Sequence, residues 1–182
     1  MQIISGKWRG KKLISPPSEK VRPTAAKARE ALFNVLESHT TLNGKTVADL
    51  FAGSGALGIE ALSRGAQKAI FVDTDLRPCK KNIHLLGLEE ESVLLKRDVL
   101  ALREDDITQA DLIFMDPPYG QNLATKTLAA IGPSLKENAF IFIETESDLP
   151  TRTLPFAAPE TSFELLKEKT HGAAKLVLLL KT

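Results

Sequence analysis

The sequence is poor in the residues that build disulfides and metal centres. Cys79 is its only cysteine, so an internal disulfide is impossible and a thiolate metal site would need ligands from elsewhere. The three histidines stand apart from one another, at positions 39, 84 and 171, without metal-ligand spacing. We therefore expect no bound metal, and we interpret Cys79 as a plain thiol.

Long apolar runs are also absent. No run approaches the roughly 20 residues that a membrane helix needs, and the N-terminus MQIISGKWRGKK lacks the apolar core of a signal peptide. We expect a cytoplasmic protein without membrane contact. Apolar residues make up 43% and charged residues 26% of the 182 positions, which predicts a single globular domain spanning 1–182.

Positive charge is concentrated at one end of the chain. Residues 1–29 carry eight bases and one acid, a net charge of +7, whereas the rest carries 16 bases and 22 acids, a net charge of −6. A cationic arm on an acidic body is typical of nucleic-acid binding, because neutralised phosphates release their counterions. A solvated tail is the alternative. Two apolar pieces around glycines within 2–14 predict a β-hairpin, so 1–23 is interpreted as a basic N-terminal hairpin and linker.

Short apolar strands alternate with amphipathic helices in the rest of the chain. Thr24 is predicted to cap a helix that runs to about Glu37. The strand segments that follow are TVADLF, KAIFVD, SVLLK, DLIFMD, AFIFIE and KLVLLL. This alternation predicts an α/β Rossmann-like fold, a mostly parallel sheet with helices on both faces. A polar link without a clear helix precedes KLVLLL, so we expect the last strand to run antiparallel.

A glycine-rich loop follows the first strand, and it is compatible with two cofactors. The glycines at 53, 55 and 58 satisfy GxGxxG, and Asp73 closes the second strand 20 residues after Gly53. A dinucleotide would place its pyrophosphate on the helix N-terminus and its ribose on the acid. An adenosine cofactor without phosphate needs the same bend and the same acid, but no anion cradle. A third interpretation is a turn required only for packing.

Acidic residues at three strand ends favour the cofactor without phosphate. Asp49 precedes the glycines, Asp73 ends the second strand, and Asp98 follows SVLLK. S-adenosylmethionine offers a cationic methionyl amine and the hydrogen-bond donors of its ribose and adenine, which carboxylates can accept. A pyrophosphate would be repelled there. For Asp98, the alternative is a loop carboxylate or a helix cap before VLALRE.

The fourth strand ends in DPPYG, a stiff corner. Two prolines cannot extend the strand, and they restrict the backbone. If the Asp116 carboxylate and the Pro117 carbonyl each accept one N–H of an exocyclic amine, the nitrogen becomes tetrahedral and its lone pair can attack a sulfonium methyl. Fixed acceptors about 3 Å from the amine favour this geometry. Tyr119 would stack on a flipped base, and Asp116 would accept the released proton. A simple strand-ending turn is the alternative.

Taken with the N-terminal motifs, this corner resembles a known family. DPPY with DLFAGSG is similar to the class I methyltransferases of exocyclic amines, and IISGKWRGKKL, VRPT and AREALFNVL resemble the RsmD family of ribosomal RNA guanine-N2 methyltransferases. The resemblance covers nearly the whole chain and implies a seven-stranded sheet. It also implies S-adenosyl-L-methionine as cofactor and, as substrate, a guanine of small-subunit 16S ribosomal RNA within an assembled or assembling 30S particle. We expect a monomer.

The resemblance assigns roles to individual positions. The cofactor loop is matched by Asp49, Gly53 and Gly55, the ribose acid by Asp73, the adenine contact by Asp98, and the catalytic corner by Asp116, Pro117 and Tyr119. Thr24 and Arg29 lie in the preceding helix, which in such enzymes closes over the methionyl end. The RNA-contact candidates are Trp8, Arg9, Lys11, Lys12 and Arg22, although Trp8 could equally be a hairpin core residue. The chain departs from the family at THGAAKLVLLLK, which replaces the usual tyrosine-glycine start of the last strand.

Three other functions are compatible with parts of the sequence. A DNA adenine-N6 methyltransferase would share DPPY, but such enzymes usually need an added target-recognition region. A nicotinamide-dependent dehydrogenase would explain GxGxxG and leave DPPY without a role. A nonenzymatic RNA-binding assembly factor would retain the fold and the basic N-terminus alone.

Overall fold

The computed structural model describes residues 1–15, 23–147, 151, 154, 157–158, 161–171 and 174–182. Arg22, most of the predicted linker and the side chain of Thr24 lie outside the described part of the chain. The four described α-helices are α1 (Pro23–Glu37), α2 (Ala56–Ser63), α3 (Arg77–Leu86) and α4 (Leu123–Ile131). None of them is long and apolar enough to cross a membrane. Because α1 begins at Pro23, Thr24 lies inside its first turn and not at the predicted capping position.

The described strands form one sheet. They are β1 (Thr46–Leu50), β2 (Lys68–Asp73), β3 (Ser92–Lys96), β4 (Leu112–Met115), β5 (Phe140–Glu146), the two-residue β6 (Ala157–Ala158), β7 (Thr161–His171) and β8 (Ala174–Lys181). Their order is β3-β2-β1-β4-β5-β8-β7-β6. Strands β1 to β5 run parallel to one another, and β8 runs antiparallel to β5. The predicted mostly parallel sheet and the antiparallel last strand are confirmed.

Helices cover both faces of this sheet, as predicted. One apolar cluster joins buried side chains of α1, α2 and α3 to one face, with Phe33 of α1 against Phe114 of β4 at 5.5 Å between ring centroids. The other cluster joins α4, through Leu128 and Ile131, to the opposite face. Neighbouring strand residues contribute alternately to the two clusters, as the period-two alternation of a strand requires. A two-faced apolar strand such as β1 therefore has to lie inside the sheet.

Strand β7 corrects the sequence interpretation, which treated the segment before KLVLLL as a polar link. Thr161 and Phe163 are buried, whereas most of the later β7 side chains are exposed. The strand is held by its antiparallel pairing with β8, interrupted by a register shift between Leu165 and Lys167. An exposed strand of this kind lacks an apolar face of its own, so hydrophobic periodicity does not reveal it.

The predicted N-terminal hairpin is confirmed, and it is docked on α2. Gln2 pairs with Lys12 in an antiparallel bridge, and Ile3 N donates to Lys11 O at 3.0 Å. Gly6 adopts φ +81°, and a Cβ placed there would lie 1.8 Å from the carbonyl oxygen of Ser63, the last residue of α2. Only glycine permits this approach, because it lacks a Cβ and tolerates the left-handed region.

Buried polar groups of α2 hold the hairpin in place. The Glu60 carboxylate accepts hydrogen bonds from Ile4 N at 2.8 Å and Ser5 N at 3.0 Å, and it is only 1% exposed. Arg64 Nε donates to the same carboxylate at 2.9 Å. The Ser63 hydroxyl accepts from Trp8 N at 3.0 Å and donates to Ser5 O. The basic segment is thus positioned on the helix that begins at the glycine loop.

We predict that Gly6→Ala and Gly10→Ala differ in their effect on stability. Both glycines have φ +81°, but nothing lies within 4 Å of a Cβ at Gly10. Gly10→Ala should therefore lower the free energy of unfolding by about 1 kcal/mol through backbone strain alone. Gly6→Ala adds the clash with Ser63 and should cost about 2 kcal/mol more. Urea denaturation measures both values, and equal losses would contradict the docked position of the hairpin.

Candidate cofactor and catalytic site

The predicted site residues gather at the carboxyl ends of the central strands. β1 lies between β2 and β4, so the direction in which the chain progresses across the sheet reverses between β1 and β4. Ligands of open α/β sheets bind at such a reversal, outside the carboxyl ends of the strands. The glycine loop follows β1, and the DPPY corner follows β4 directly.

The glycine loop makes a tight left-handed bend. Phe51, Gly53 and Gly55 have φ values of +65°, +52° and +79°. A Cβ at Gly55 would lie 2.7 Å from Cys79 Sγ, and one at Gly58 would lie 2.4 Å from Phe71 Cε1. Close packing against β2 and α3 therefore accounts for two of the three glycines. Phe51 is a non-glycine residue in a region that costs about 1 kcal/mol or more, the kind of strain that clusters at functional sites.

Asp49 caps the helix that starts at this loop. Its Oδ2 accepts a hydrogen bond from Gly58 N at 2.8 Å, and the side chain is 2% exposed. Gly58 is the third residue of α2, so the carboxylate satisfies one of the unpaired N–H groups of the first turn. The structure thus places a carboxylate where a dinucleotide would bring its pyrophosphate, and this disfavours the dehydrogenase interpretation.

Two neighbouring carboxylates at this edge affect the pKa of Asp49. Burial raises the pKa of Asp49 to about 8, the hydrogen bond from Gly58 opposes the shift, and the charges of Asp116 and Asp73 raise it further. Leu50, the last residue of β1, pairs with Met115, the last residue of β4, so the glycine loop and the DPPY corner follow neighbouring strand ends. A cationic group bound between them would relieve the repulsion. The carboxylates at this edge are acceptors with negative charge, and they suit the N–H donors and the positive charge of the methionyl amine of S-adenosylmethionine.

The other two predicted cofactor acids are placed differently. Asp73 accepts from Gly53 N at 2.8 Å through Oδ2 and from Asp75 N at 2.9 Å through Oδ1, so it shapes the glycine loop as well as lying beside it. Asp98 is exposed, and its Oδ1 accepts from Leu100 N at 2.9 Å. Asp98 therefore caps the short 3-10 helix Val99–Ala101, as the alternative interpretation expected. Its contact with adenine stays a prediction.

The DPPY corner, which is the predicted catalytic segment, is accessible and is held by the neighbouring strand. Pro117 is buried, whereas Asp116 is exposed and Tyr119 is 45% exposed. β5 continues three residues beyond the partner of Met115, the last residue of β4. The Tyr119 hydroxyl donates to Glu144 Oε1 at 3.4 Å, and Gly120 N donates to Glu146 Oε1. Alternate residues of β5 thus contact the corner at two points.

Sequence reasoning missed Glu144 and Glu146, although two acids ending the apolar strand FIFIETE were the available signal. Burial raises the pKa of Glu144. Burial, with the charges of Glu144 and Asp116, raises the pKa of Tyr119 to about 12. The tyrosine therefore stays protonated near neutral pH, which suits a stacking surface and not a base.

The remaining predicted residues belong to the N-terminal part. Arg29 is buried, and its Nη2 donates to Gln2 O at 2.5 Å. Burial lowers its pKa, and the Glu60 charge opposes that shift. These contacts tie α1 to the hairpin, and the role of Arg29 toward a cofactor stays a prediction, as does that of Thr24.

The RNA-contact candidates occupy the exposed side of the hairpin. Arg9, Lys11 and Lys12 are exposed. Trp8 is half-buried and packs against the apolar cluster that includes Ile3 and Leu13 of the hairpin. The alternative interpretation of Trp8 as a packing residue therefore describes one part of its ring surface. Lys7 Nζ lies 4.6 Å from the centroid of the Trp8 ring, an additional cation that the sequence prediction left out. The hairpin thus presents an aromatic ring among cations.

Comparison with known proteins places the chain among RNA methyltransferases and their relatives. The family described as conserved hypothetical protein 95 matches residues 1–180. Ribosomal RNA small subunit methyltransferase D of Haemophilus influenzae is 39% identical, with 94% of this chain and 89% of that protein covered. The protein of the same name from Escherichia coli strain K12 is 33% identical, with coverages of 94% and 85%. The solved structure of yhhF from Escherichia coli superposes with a TM-score of 0.79 at 32% identity, covering 100% and 97% of the two chains. The fold is that of class I methyltransferases.

We predict that Asp49→Asn removes a pH dependence of stability. The pKa of Asp49 is raised from its ordinary value of 3.8 to about 8 in the folded protein. Between these pH values the Asp49 carboxyl is protonated in the folded protein and ionised in the unfolded chain. Stability therefore falls as the pH rises from about 4 to 8. The asparagine carbonyl can still accept from Gly58 N. As the pH rises across that window, the free energy of unfolding of the variant should therefore increase relative to that of the wild type, by up to about 1.4 kcal/mol per pH unit.

Urea denaturation of both proteins without cofactor at pH 5, 6, 7 and 8 measures this difference. Parallel stability curves would mean that Asp49 is ionised throughout, with its charge already compensated in the folded protein.

Proposed function

Because this chain belongs to the RsmD family, described as conserved hypothetical protein 95, we propose that it is a ribosomal RNA methyltransferase. Its substrate would be the exocyclic N2 amine of a guanine in small-subunit 16S ribosomal RNA, and its methyl donor S-adenosylmethionine. The relatives named ribosomal RNA small subunit methyltransferase D support the RNA class. We further propose that the chain acts as one domain and as a monomer on an assembling 30S particle.

The observation that carries this proposal is the proximity of the DPPY corner to the glycine loop. The last residues of β1 and β4, Leu50 and Met115, are paired in adjacent parallel strands, and the charge of Asp116 raises the pKa of Asp49 in agreement with that arrangement. A cofactor bound at the loop would therefore be close to a base bound at the corner. Methyl transfer needs this proximity, since the amine and the methyl group must meet in line.

The cofactor would be held by groups that follow three neighbouring strands. Asp49 would face the methionyl amine, Asp73 the ribose hydroxyls and Asp98 the adenine amine, with Gly53 and Gly55 allowing close approach of the backbone. When bound, S-adenosylmethionine supplies an electrophilic methyl group on a sulfonium. Asp73 already accepts from Gly53 N, so the ribose contact and the loop conformation would depend on the same carboxylate.

The corner itself would prepare the amine. Asp116 and the Pro117 carbonyl would each accept one N–H, which releases the nitrogen lone pair from the aromatic ring. Buried Pro117 limits backbone motion at this point. The Asp116 carboxylate would then take the proton that the methylated amine loses. The exposed ring of Tyr119, positioned by Glu144, would stack on the base.

The basic hairpin would bind the RNA backbone. Arg9, Lys11 and Lys12 are exposed on it, and Trp8 adds a ring on which an unpaired base could stack. Arg22 would extend the same positive segment. Contacts of this kind give affinity without sequence information, so the choice of guanine would depend on the shape of the particle.

Transfer of a labelled methyl group tests the reaction and its substrate class. Purified protein would be incubated with S-adenosylmethionine and one of three substrates: small ribosomal subunits from cells lacking the protein, naked 16S RNA from the same cells, and double-stranded DNA. We expect label in the RNA, recovered after digestion as N2-methylguanosine. N6-methyladenosine in DNA would instead establish the adenine alternative. RNA binding without any transfer would identify an assembly factor.

Substitution of Asp116 tests the catalytic corner. Asp116→Ala removes one of the two acceptors and the proton acceptor, so kcat should fall about 100-fold or more. Asp116→Asn keeps a carbonyl acceptor and should lose less activity. Asp105→Ala, at an exposed carboxylate on the short helix Glu104–Asp106, is the matched control and should leave kcat unchanged. Full activity of Asp116→Ala in single-turnover assays would refute the assignment.

A further inference from the structure

One buried side chain links the N-terminal segment to the glycine loop. Asn82 lies on α3 and is 0% exposed. Its Oδ1 accepts from Ile14 N at 2.7 Å, and its Nδ2 donates to Ile14 O at 2.9 Å and to Ser54 O at 2.9 Å. An asparagine side chain has two N–H donors and one carbonyl acceptor. Asn82 therefore uses both of its N–H donors, and one lone pair of its carbonyl oxygen, on two segments of backbone.

The two segments have different proposed ligands. Ser54 lies between Gly53 and Gly55, in the loop assigned to the cofactor. Ile14 follows Leu13, whose N donates to Met1 O at 2.8 Å, so it is attached directly to the paired strands of the RNA-binding hairpin. A displacement of either segment would break hydrogen bonds of a buried amide. Such losses are costly because the groups left behind cannot reach water.

We propose that Asn82 is a positioning residue that makes cofactor and RNA binding cooperative. A cofactor that orders the glycine loop would hold Ser54 O against Asn82 and thereby favour the position of Ile14 and of the hairpin. By thermodynamic linkage, RNA bound to the hairpin would favour the cofactor by the same factor. This inference rests on the proposed function for the location of both ligands.

The hairpin has a second anchor that does not contact the glycine loop, and this supplies a matched control. The Ser63 hydroxyl bonds to Trp8 N and Ser5 O at the far end of α2. Ser63→Ala should loosen the hairpin and weaken RNA binding, but it leaves the link to Ser54 intact. If Asn82 only held the hairpin in place, its substitution would resemble Ser63→Ala and leave the coupling between the two ligands unchanged. If Asn82 transmits the coupling, its substitution would abolish that coupling, whereas Ser63→Ala would not.

The experiment measures the affinity for S-adenosylhomocysteine by equilibrium dialysis, with and without saturating small subunits from cells lacking the protein. In the wild type we expect the subunits to tighten binding about 5-fold or more. In Asn82→Asp, which keeps an acceptor for Ile14 N but loses both donations, the ratio should approach 1. In Ser63→Ala it should stay at the wild-type value. Thermal unfolding of each variant confirms that it is folded.

A second variant covers the case in which Asn82→Asp fails to fold. Ile14→Pro removes the N–H that bonds to Oδ1, at a side chain that is 45% exposed. Proline also restricts the backbone at positions 13 and 14, so thermal unfolding must again show a folded protein, and the ratio should also fall. A wild-type ratio of 1, or equal ratios in the wild type and the variants at position 82 or 14, would overturn the inference while leaving the proposed function intact. A wild type that binds neither the cofactor analogue nor the subunits would instead overturn the proposed function.

Discussion

The site depends on one buried contact, the hydrogen bond from Gly58 N to the carboxylate of Asp49. It joins the end of β1 to the first turn of α2 and so sets the shape of the glycine loop between them. A carboxylate at this position occupies the helix N-terminus that a phosphate would otherwise use. The same fingerprint of glycines can therefore serve a different ligand. In this chain the charge balance at the loop favours a cation, and the donor that the RsmD family implies carries one.

The DPPY corner is held in place by two separate segments of the chain. The prolines restrict the backbone after β4, but they do not orient the ring or the turn that follows. Glu144 and Glu146 do so from β5, through Tyr119 and Gly120. The strand can reach the corner because it extends beyond β4 and is paired on its other side with β8. The antiparallel last strand thus supports the DPPY corner without contributing a residue to it.

The N-terminal hairpin is integrated with the cofactor side of the molecule. Its polar contacts go to α1 through Arg29, to α2 through Glu60 and Ser63, and to α3 through Asn82. Helices α2 and α3 flank the glycine loop. The positive charge of the segment is exposed, whereas Ile3 and Leu13 are buried in the core. An arm that would otherwise be a solvated tail is therefore held in one place relative to the proposed cofactor site.

The amino-acid sequence by itself determined the alternation of strands and helices through β5, the hairpin, the antiparallel last strand and the family. Apolar periodicity, glycine and proline positions and short motifs are local signals, and each of these features is local or nearly so. The tertiary structure alone decided which polar groups meet. Asn82 is 28 residues from Ser54 and 68 from Ile14, and Glu144 is 25 residues from Tyr119. Strand β7 likewise depends on its partner β8 and not on its own pattern. Such contacts depend on the packing of distant segments, which no local signal encodes.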